Sequence, residues 1–282
     1  MIDAIILAAG QGTRMKSNKA KVLHHLGGKS LLQHVIDAIN PLSTSINIVI
    51  GNDAELVKNS IKSHSINWVV QKKQLGTGHA VKQATPYVKD QSMYLILYGD
   101  VPLIKTSTLK TLIIKAKKTG FSLLSVIHSE PAGYGRIIRN SNRVIKSIVE
   151  HKDASDKEQE IREINTGIMA IKGSLLKKYI SQLKPNNKQG ELYLTDIVEN
   201  AVTDNVTISS LVCDNVSEVM GINNKNQLAE AERIYRQKQA KDLMSKGLTI
   251  KDPSRFDCRG NLIFGKDCSV DINVIFEGEN EL

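Results

Sequence analysis

The chain predicts an α/β fold: a doubly wound, mixed but mostly parallel sheet, followed by a long helix and the first coils of a hexapeptide β-helix. Three observations point there. Short apolar runs alternate with segments of helical period; glycine-rich turns follow the apolar runs; and the last residues change to a period of six.

The first run, "IDAIILAA" (2–9), has the continuous apolar character of a strand buried on both faces. "SLLQHVIDAI" (30–39) then places Leu31, Leu32, Val35, Ile36 and Ile39 on one helical stripe, with Ser30 available as N-cap. Further strands are expected at 45–51, 66–71, 93–100 and 121–128, with helices between them at 54–63, 78–88 and 106–118. Such βαβ alternation puts ligands beyond the carboxyl ends of the strands, so the glycine turns at 10–12, 76–78 and 99 should gather at one rim. After residue 130 the strands "GRIIR", "RVIKSIVE" and "NTGIMAIKG" read as a partly antiparallel extension, followed by helices near 174–183 and 192–203 and by "VTISSLV". Residues 224–246 contain no proline or glycine and predict one long helix ending before Gly247. Beyond it, Phe264, Val270, Phe276 and Leu282 recur every six residues, as in a solenoid whose strands each turn one apolar side chain inward. The expected division is 1–223, a linker helix at 224–247, and the start of a solenoid at 248–282.

With 282 residues, 41% of them hydrophobic, the chain can bury a substantial core. Its apolar runs are too short to cross a bilayer and its start lacks a signal peptide, so a cytoplasmic location is expected. Cys213, Cys258 and Cys268 have neither metal spacing nor an even count, and read as reduced packing residues. The net charge of +9 favours anionic partners. Lysines are scattered and aromatic residues reach only 4%, so a single-strand binding groove is disfavoured, and neither nucleic acid nor membrane is expected as a partner.

"LAAGQGTRM" (7–15) is a phosphate loop of unusual kind. Lys16 and Ser17 stand at the Walker spacing after Gly10, but Met15 replaces the glycine that both a Walker loop and a dinucleotide fingerprint need at that position, so neither fits. What remains is strand, G-x-G-T-R and a following lysine, Lys21: backbone N–H groups near one phosphate and two cations near the others. A strand-to-helix turn with surface cations would also fit the loop alone.

The stretch "LAAGQGTRMKSNKAKVLHHLGGKSLLQHVIDA" resembles the start of the sugar-nucleotide pyrophosphorylases, and within them the bacterial bifunctional N-acetylglucosamine-1-phosphate uridylyltransferase / glucosamine-1-phosphate acetyltransferase family. The resemblance continues in order through "QLGTGHA", "YGDVPLI", "GYGRI", "IVEHKDA", "EINTGI", "ELYLTDI", "EVMGINN" and "DPSRFDCRG". It implies the Rossmann-like nucleotide-diphospho-sugar transferase fold and a left-handed β-helix after a helical arm, of which this chain would hold only the beginning, without acetyltransferase activity.

The implied reaction joins UTP and N-acetylglucosamine 1-phosphate into UDP-N-acetylglucosamine and pyrophosphate, for cell-wall precursors. By the same resemblance Arg14 and Lys21 are the catalytic cations, Arg14 at the departing phosphates and Lys21 near the α-phosphate. Asp100 and Asn223 are the implied Mg²⁺ ligands, with Asn224 as the neighbouring alternative. Uracil is assigned to Leu7, Ala8, Ala9, Gly10, Gln71, Gly76 and Thr77, and the sugar to Tyr98, Gly99, Gly135, Glu150 and Asn165, with Tyr193 a further candidate. Two departures from the family pattern stand out: Ala20 replaces the proline before the lysine, and Met220 replaces a common glutamate. His24, His25, His34, His79 and Glu163 are given no role. A full-length family member is expected to be a homotrimer. The alternatives are another sugar-1-phosphate nucleotidylyltransferase or a catalytically silent nucleotide-sugar-binding protein.

Overall fold

A computed structural model describes residues 1–51, 53–61 and 66–282. The chain opens with β1 (Ile2–Ala8), then a hairpin of β2 (His25–Leu26) and β3 (Lys29–Ser30), and α1 (Leu31–Ile39). Next come β4 (Ser45–Ile50), α2 (Ala54–Ser60), β5 (Ile66–Val70), α3 (Thr77–Ala84), β6 (Met93–Tyr98), α4 (Thr106–Thr119) and β7 (Phe121–Ile127). The predicted helix at 54–63 therefore ends at Ser60, and its last two positions lie outside the described residues. Pro86 converts the end of the predicted 78–88 helix into a 3₁₀ turn, Thr85–Tyr87.

The second half supplies β8 (Arg136–Arg139), β9 (Ile145–Val149), α5 (Asp156–Gln159), β10 (Glu163–Lys172), α6 (Gly173–Ser181), α7 (Asp196–Thr203), β11 (Ser209–Cys213) and α8 (Val216–Val219). The helix expected at 192–203 begins four residues late, because 192–195 leave the helix to bond with the loop before α3.

The strands form one mixed sheet in the order β11-β7-β10-β6-β1-β4-β5, with β8 and β9 branching from β10. The pairs β1/β4, β1/β6, β4/β5 and β7/β11 are parallel, whereas β10 runs antiparallel to both β6 and β7. Alternate residues of β1 serve opposite faces. Ala4 and Ile6 join a core with Leu32 and Ile36 of α1 and Leu109 and Leu112 of α4; Ile5 and Leu7 join one with Val81 of α3, Tyr179 of α6 and Ile197 of α7. Ser30 caps α1 by accepting from the Gln33 N–H at 3.2 Å.

The long helix is α9 (Lys225–Ser245), capped by Asn224. It is polar on most sides and buries only a small stripe, including Ala231 against Leu26, Leu31 and Ile222. Glu232 accepts from the Gly27 N–H, and the Tyr235 ring stacks edge-on to His34 at 5.2 Å, so α9 is seated on the β2/β3 hairpin.

The tail adds β12 (Thr249–Ile250), β13 (Asp257–Ile263), β14 (Ser269–Val270) and β15 (Ile275–Glu281). β12 pairs in parallel with β14, and β13 with β15, the latter in a register that sets Asp257 opposite Ile275. β13 and β15, three hexads apart along the chain, thus stack on each other. Val270 is buried and Phe264 and Phe276 pack on the same core, but Leu282 is exposed. A second series, Ile250, Phe256, Leu262, Cys268 and Val274, carries more of that core than the expected one.

Candidate active site

The carboxyl ends of β1 and β6 and the amino end of β10 meet at a cavity of about 450 Å³. Of the expected residues, Leu7, Ala8, Ala9, Gly10, Lys21, Gln71, Gly76, Thr77, Tyr98, Asp100, Asn165 and Asn223 line it.

At its centre four segments converge. Lys21 Nζ forms an ion pair with Asp100 Oδ2 and donates to Asn223 Oδ1 at 3.2 Å; Arg14 donates to the same Asn223 oxygen at 2.8 Å. Lys21 and Asp100 each expose only 14% of their side chains. Local chain geometry explains the convergence. Gly12 has φ 63°, and a side chain there would stand 2.7 Å from Lys21 Cβ, so the glycine lets the loop close over the lysine segment. Ala20 has φ −50°, within the range proline enforces, so its substitution for proline leaves the approach to Lys21 in proline-like geometry. Asp100 carries the Ile222 N–H on its backbone oxygen at 2.9 Å, joining the end of β6 to the segment that bears Asn223. Asn223 is fixed through its own N–H, which donates to Gln227 Oε1 at 2.7 Å on α9. Asn224 points elsewhere: its side chain caps α9 by accepting from the Gln227 N–H. Met220 lies in the cavity wall beside Gly221.

On one side of this cluster lies the loop 71–78. Gln71 is buried and donates through Nε2 to the Gly76 carbonyl at 3.3 Å and lies 3.0 Å from His79 Nδ1. The Gly78 N–H donates to Leu192 O at 2.8 Å, and Thr77 Oγ1 accepts from the Leu194 N–H at 3.1 Å. The "QLGTGHA" and "ELYLTDI" segments therefore brace each other.

On the other side are Tyr98, Asn165 and Glu150. Asn165 receives the Gly167 N–H on Oδ1 at 3.0 Å, which leaves its amide nitrogen for a ligand. Glu150 accepts from Thr195 Oγ1 at 3.1 Å; burial pushes its carboxyl pKa up, against the opposing effect of that hydrogen bond, with Asp153 adding to the rise. Burial raises the Tyr98 phenol far above its usual range, with Glu150 and Asp100 reinforcing the shift, so Tyr98 is a neutral hydroxyl.

Four expected residues stand outside the lining. Arg14 is exposed at the cavity mouth, Gly99 lies beneath its floor among Val22, Leu32 and Ala8, and Gly135 and Glu150 form the layer behind Asn165, whose N–H donates to Gly135 O. Tyr193 is buried, receiving Gln189 Nε2 on its hydroxyl at 2.6 Å. Glu163, given no role from sequence, makes a two-pronged ion pair with Arg139. Sequence reading overlooked Gln74 and Tyr134. Gln74 donates to Ala9 O at 3.0 Å and accepts from Gln11, tying the phosphate loop to loop 71–78; Tyr134 sits opposite, near Arg14 and Asp100. Both lie inside segments that carry the resemblance, "QLGTGHA" and "GYGRI", where the roles were assigned to neighbouring residues instead.

Residues 4–165 match the family of MobA-like NTP transferase domains. Over 278 residues the chain is 54% identical to the bifunctional protein GlmU of Vesicomyosocius okutanii subsp. Calyptogena okutanii (strain HA), covering 99% of this chain and 62% of that protein. The bifunctional protein GlmU of Ruthia magnifica subsp. Calyptogena magnifica is 53% identical over 278 residues, covering 99% and 61%. The chain thus spans about three fifths of the length of these curated relatives. The fold also matches the crystal structure of a UDP-glucose pyrophosphorylase complexed with UDP-glucose, with a TM-score of 0.68 at 19% identity over 84% of this chain and all of that one. A nucleotide-triphosphate transferase sheet, a glycine loop at the end of its first strand and a cation cluster at its rim agree with this match: the chain belongs to the family of MobA-like NTP transferase domains.

Proposed function

We propose that the chain is an N-acetylglucosamine-1-phosphate uridylyltransferase, forming UDP-N-acetylglucosamine and pyrophosphate from UTP and N-acetylglucosamine 1-phosphate. The observation that carries this reading is the meeting of Arg14, Lys21, Asp100 and Asn223, drawn from four separate segments, at the rim of the sheet. A phosphate monoester is already an anionic nucleophile, so the reaction needs charge compensation and alignment rather than a general base. An oxygen of the sugar phosphate forms a bond to the α-phosphorus of UTP, the bond from that phosphorus to the bridging oxygen breaks, and pyrophosphate leaves with the electron pair.

In this reading Lys21 offsets charge gathering near the α-phosphate and Arg14, at the mouth, receives the departing β and γ phosphates. The oxygens of Asp100 and Asn223 both face the Lys21 ammonium, so a cation already occupies the point on which they converge. Two hard oxygen donors beside a phosphate site fit Mg²⁺, which completes its shell with phosphate oxygens and water. Bound there, Mg²⁺ would supply Lewis-acid charge to the triphosphate. Among the described residues no cluster of three or more His, Cys, Asp or Glu side chains could hold a metal unaided, so metal affinity should depend on nucleotide.

The backbone of Leu7 to Gly10, with Gln71, Gly76 and Thr77, is the proposed uracil site, where close backbone approach suits a flat base. Tyr98, Asn165 and Glu150, backed by Gly99 and Gly135, are the proposed sugar site. Cytoplasmic location and trimer formation by a full-length chain complete the proposal. Among the described residues no helix is long and apolar enough to cross a membrane. The test is pyrophosphate release from UTP: it should need both N-acetylglucosamine 1-phosphate and Mg²⁺ and stop in excess chelator. Equal turnover with other sugar 1-phosphates, or turnover indifferent to chelator, would overturn the reading.

A further inference from the structure

His79 received no function from the sequence, yet it completes a hydrogen-bond chain that ends in the cavity. Gln71 is buried at the cavity wall with its amide nitrogen 3.3 Å from the Gly76 carbonyl and 3.0 Å from His79 Nδ1. A carbonyl oxygen can only accept, so Gly76 fixes which end of the amide faces it. The amide has two N–H donors, and His79 Nδ1 takes the second if that ring nitrogen is unprotonated. Gln83 Nε2, also a donor, lies 3.2 Å from His79 Nε2, so two amides compete for the one acceptor of a neutral imidazole. Gln71 cannot turn its amide without losing Gly76, whereas turning the Gln83 amide sets its oxygen against Nε2, so Nδ1 is the accepting nitrogen and the ring proton sits on Nε2. Burial, with Lys82 beside it, lowers the His79 pKa and keeps the ring neutral.

We propose that His79 is a positioning residue for base selection: with Gly76 it consumes both donors of the Gln71 amide, leaving only the acceptor oxygen to face the base. An acceptor there pairs with the N3–H of uracil and meets a lone pair at N3 of cytosine. Without the second anchor the amide can rotate and present a donor, and the penalty against cytosine falls. This inference rests on the uridylyltransferase reading.

The experiment compares kcat/KM for UTP and CTP, with one sugar 1-phosphate, by pyrophosphate release. The natural chain should prefer UTP; failure to use UTP at all would sink the underlying reading rather than this one. His79→Ala should lower the UTP:CTP ratio at least tenfold, mainly through KM for UTP, with kcat moved much less. His79→Asp keeps an acceptor where Nδ1 stood, at the first turn of α3 where an anion is favoured, and should hold the ratio within about threefold. Where the alanine variant does not fold, His79→Asn, whose amide can present either end, should also lose selectivity. A ratio unchanged in the alanine or asparagine variant, or lost equally in the aspartate variant, would overturn the proposal, since damage to the loop alone would slow both nucleotides together.

Discussion

Lys21→Ala separates a catalytic cation from a structural one. The ammonium touches Asp100 and Asn223, and each member of the ion pair exposes 14% of its side chain. Removing one partner of a fully buried pair costs about 3–5 kcal/mol, because the other charge is left uncompensated. Here the abandoned Asp100 faces an open cavity that admits water, so the stability loss should fall toward the surface range, roughly 1–2 kcal/mol. The rate should suffer more. Losing one pre-placed charge donor to a developing transition state costs about 2.7–4 kcal/mol, or roughly 10²–10³ in kcat. The two quantities are read separately, kcat from pyrophosphate release at saturating substrates and stability from the urea midpoint at fixed slope. A kcat loss below tenfold, or a destabilisation large enough to account for the lost activity through unfolded enzyme, would return Lys21 to a purely architectural role.

Three further outcomes are expected. Asp196, at the start of α7, has its pKa raised to about 6 by burial first and then by Glu199, Glu150 and Asp153. Its folded pKa lies above its unfolded one, so the unfolded state ionises first as pH rises from about 4 to 6, and stability is lost across that window. Asp196→Asn should therefore gain on the natural chain by about 1 kcal/mol between pH 4 and pH 7, a figure reduced for partial solvent exposure, and chemical denaturation at both pH values checks it. A gain already complete at pH 4 would contradict the assignment. Gly167→Ala places a side chain at φ 76° against the Tyr98 ring and should destabilise by about 2–4 kcal/mol, seen as a lowered Tm. Ala20→Pro should raise stability by about 0.4–1 kcal/mol with activity retained, since φ is already −50° and the Ala20 N–H makes no hydrogen bond among the described residues; a fall in Tm would refute this.

Long elements with a clean period were legible in the sequence. The apolar run at 2–9, the stripe from Leu31 to Ile39 with its Ser30 cap, and the glycine-free stretch that becomes α9 all carry their signal locally. Short elements were not. The β2/β3 hairpin has two residues per strand, and α5 and α8 have four each, too few for periodicity to register; the local clues were caps, the Ser155 capping box before α5 and Asn215 before α8. The insertion of β10 between β6 and β7 depends on pairing between distant segments, which no local pattern encodes. The tail misled by half. One hexad series was visible because Phe264, Val270, Phe276 and Leu282 form an unbroken run of apolar side chains, whereas Cys268 interrupts the better-buried series. At the site, residue types alone could not choose between Asn223 and Asn224. The structure separates them only by their contacts: Asn224 caps a helix, whereas Asn223 turns its oxygen to two cations, the contact on which its proposed metal role rests.

The reversed strand β10 shapes what can change in this pocket. Its neighbour β6, and β1 beyond it, reach the rim at their ends and hand over to loops, so that side presents main-chain groups whose positions depend on whole turns. β10 reaches the same rim at its beginning, and offers side chains such as Asn165 from within a paired strand. A single substitution on β10 can therefore alter the group presented to a ligand while the surrounding backbone stays put. On the opposite wall a side chain such as Gln71 can be exchanged singly, but the main-chain groups around it move only when a turn is rebuilt. Divergence among chains of this architecture should accordingly accumulate point changes on the β10 side and insertions or deletions on the other.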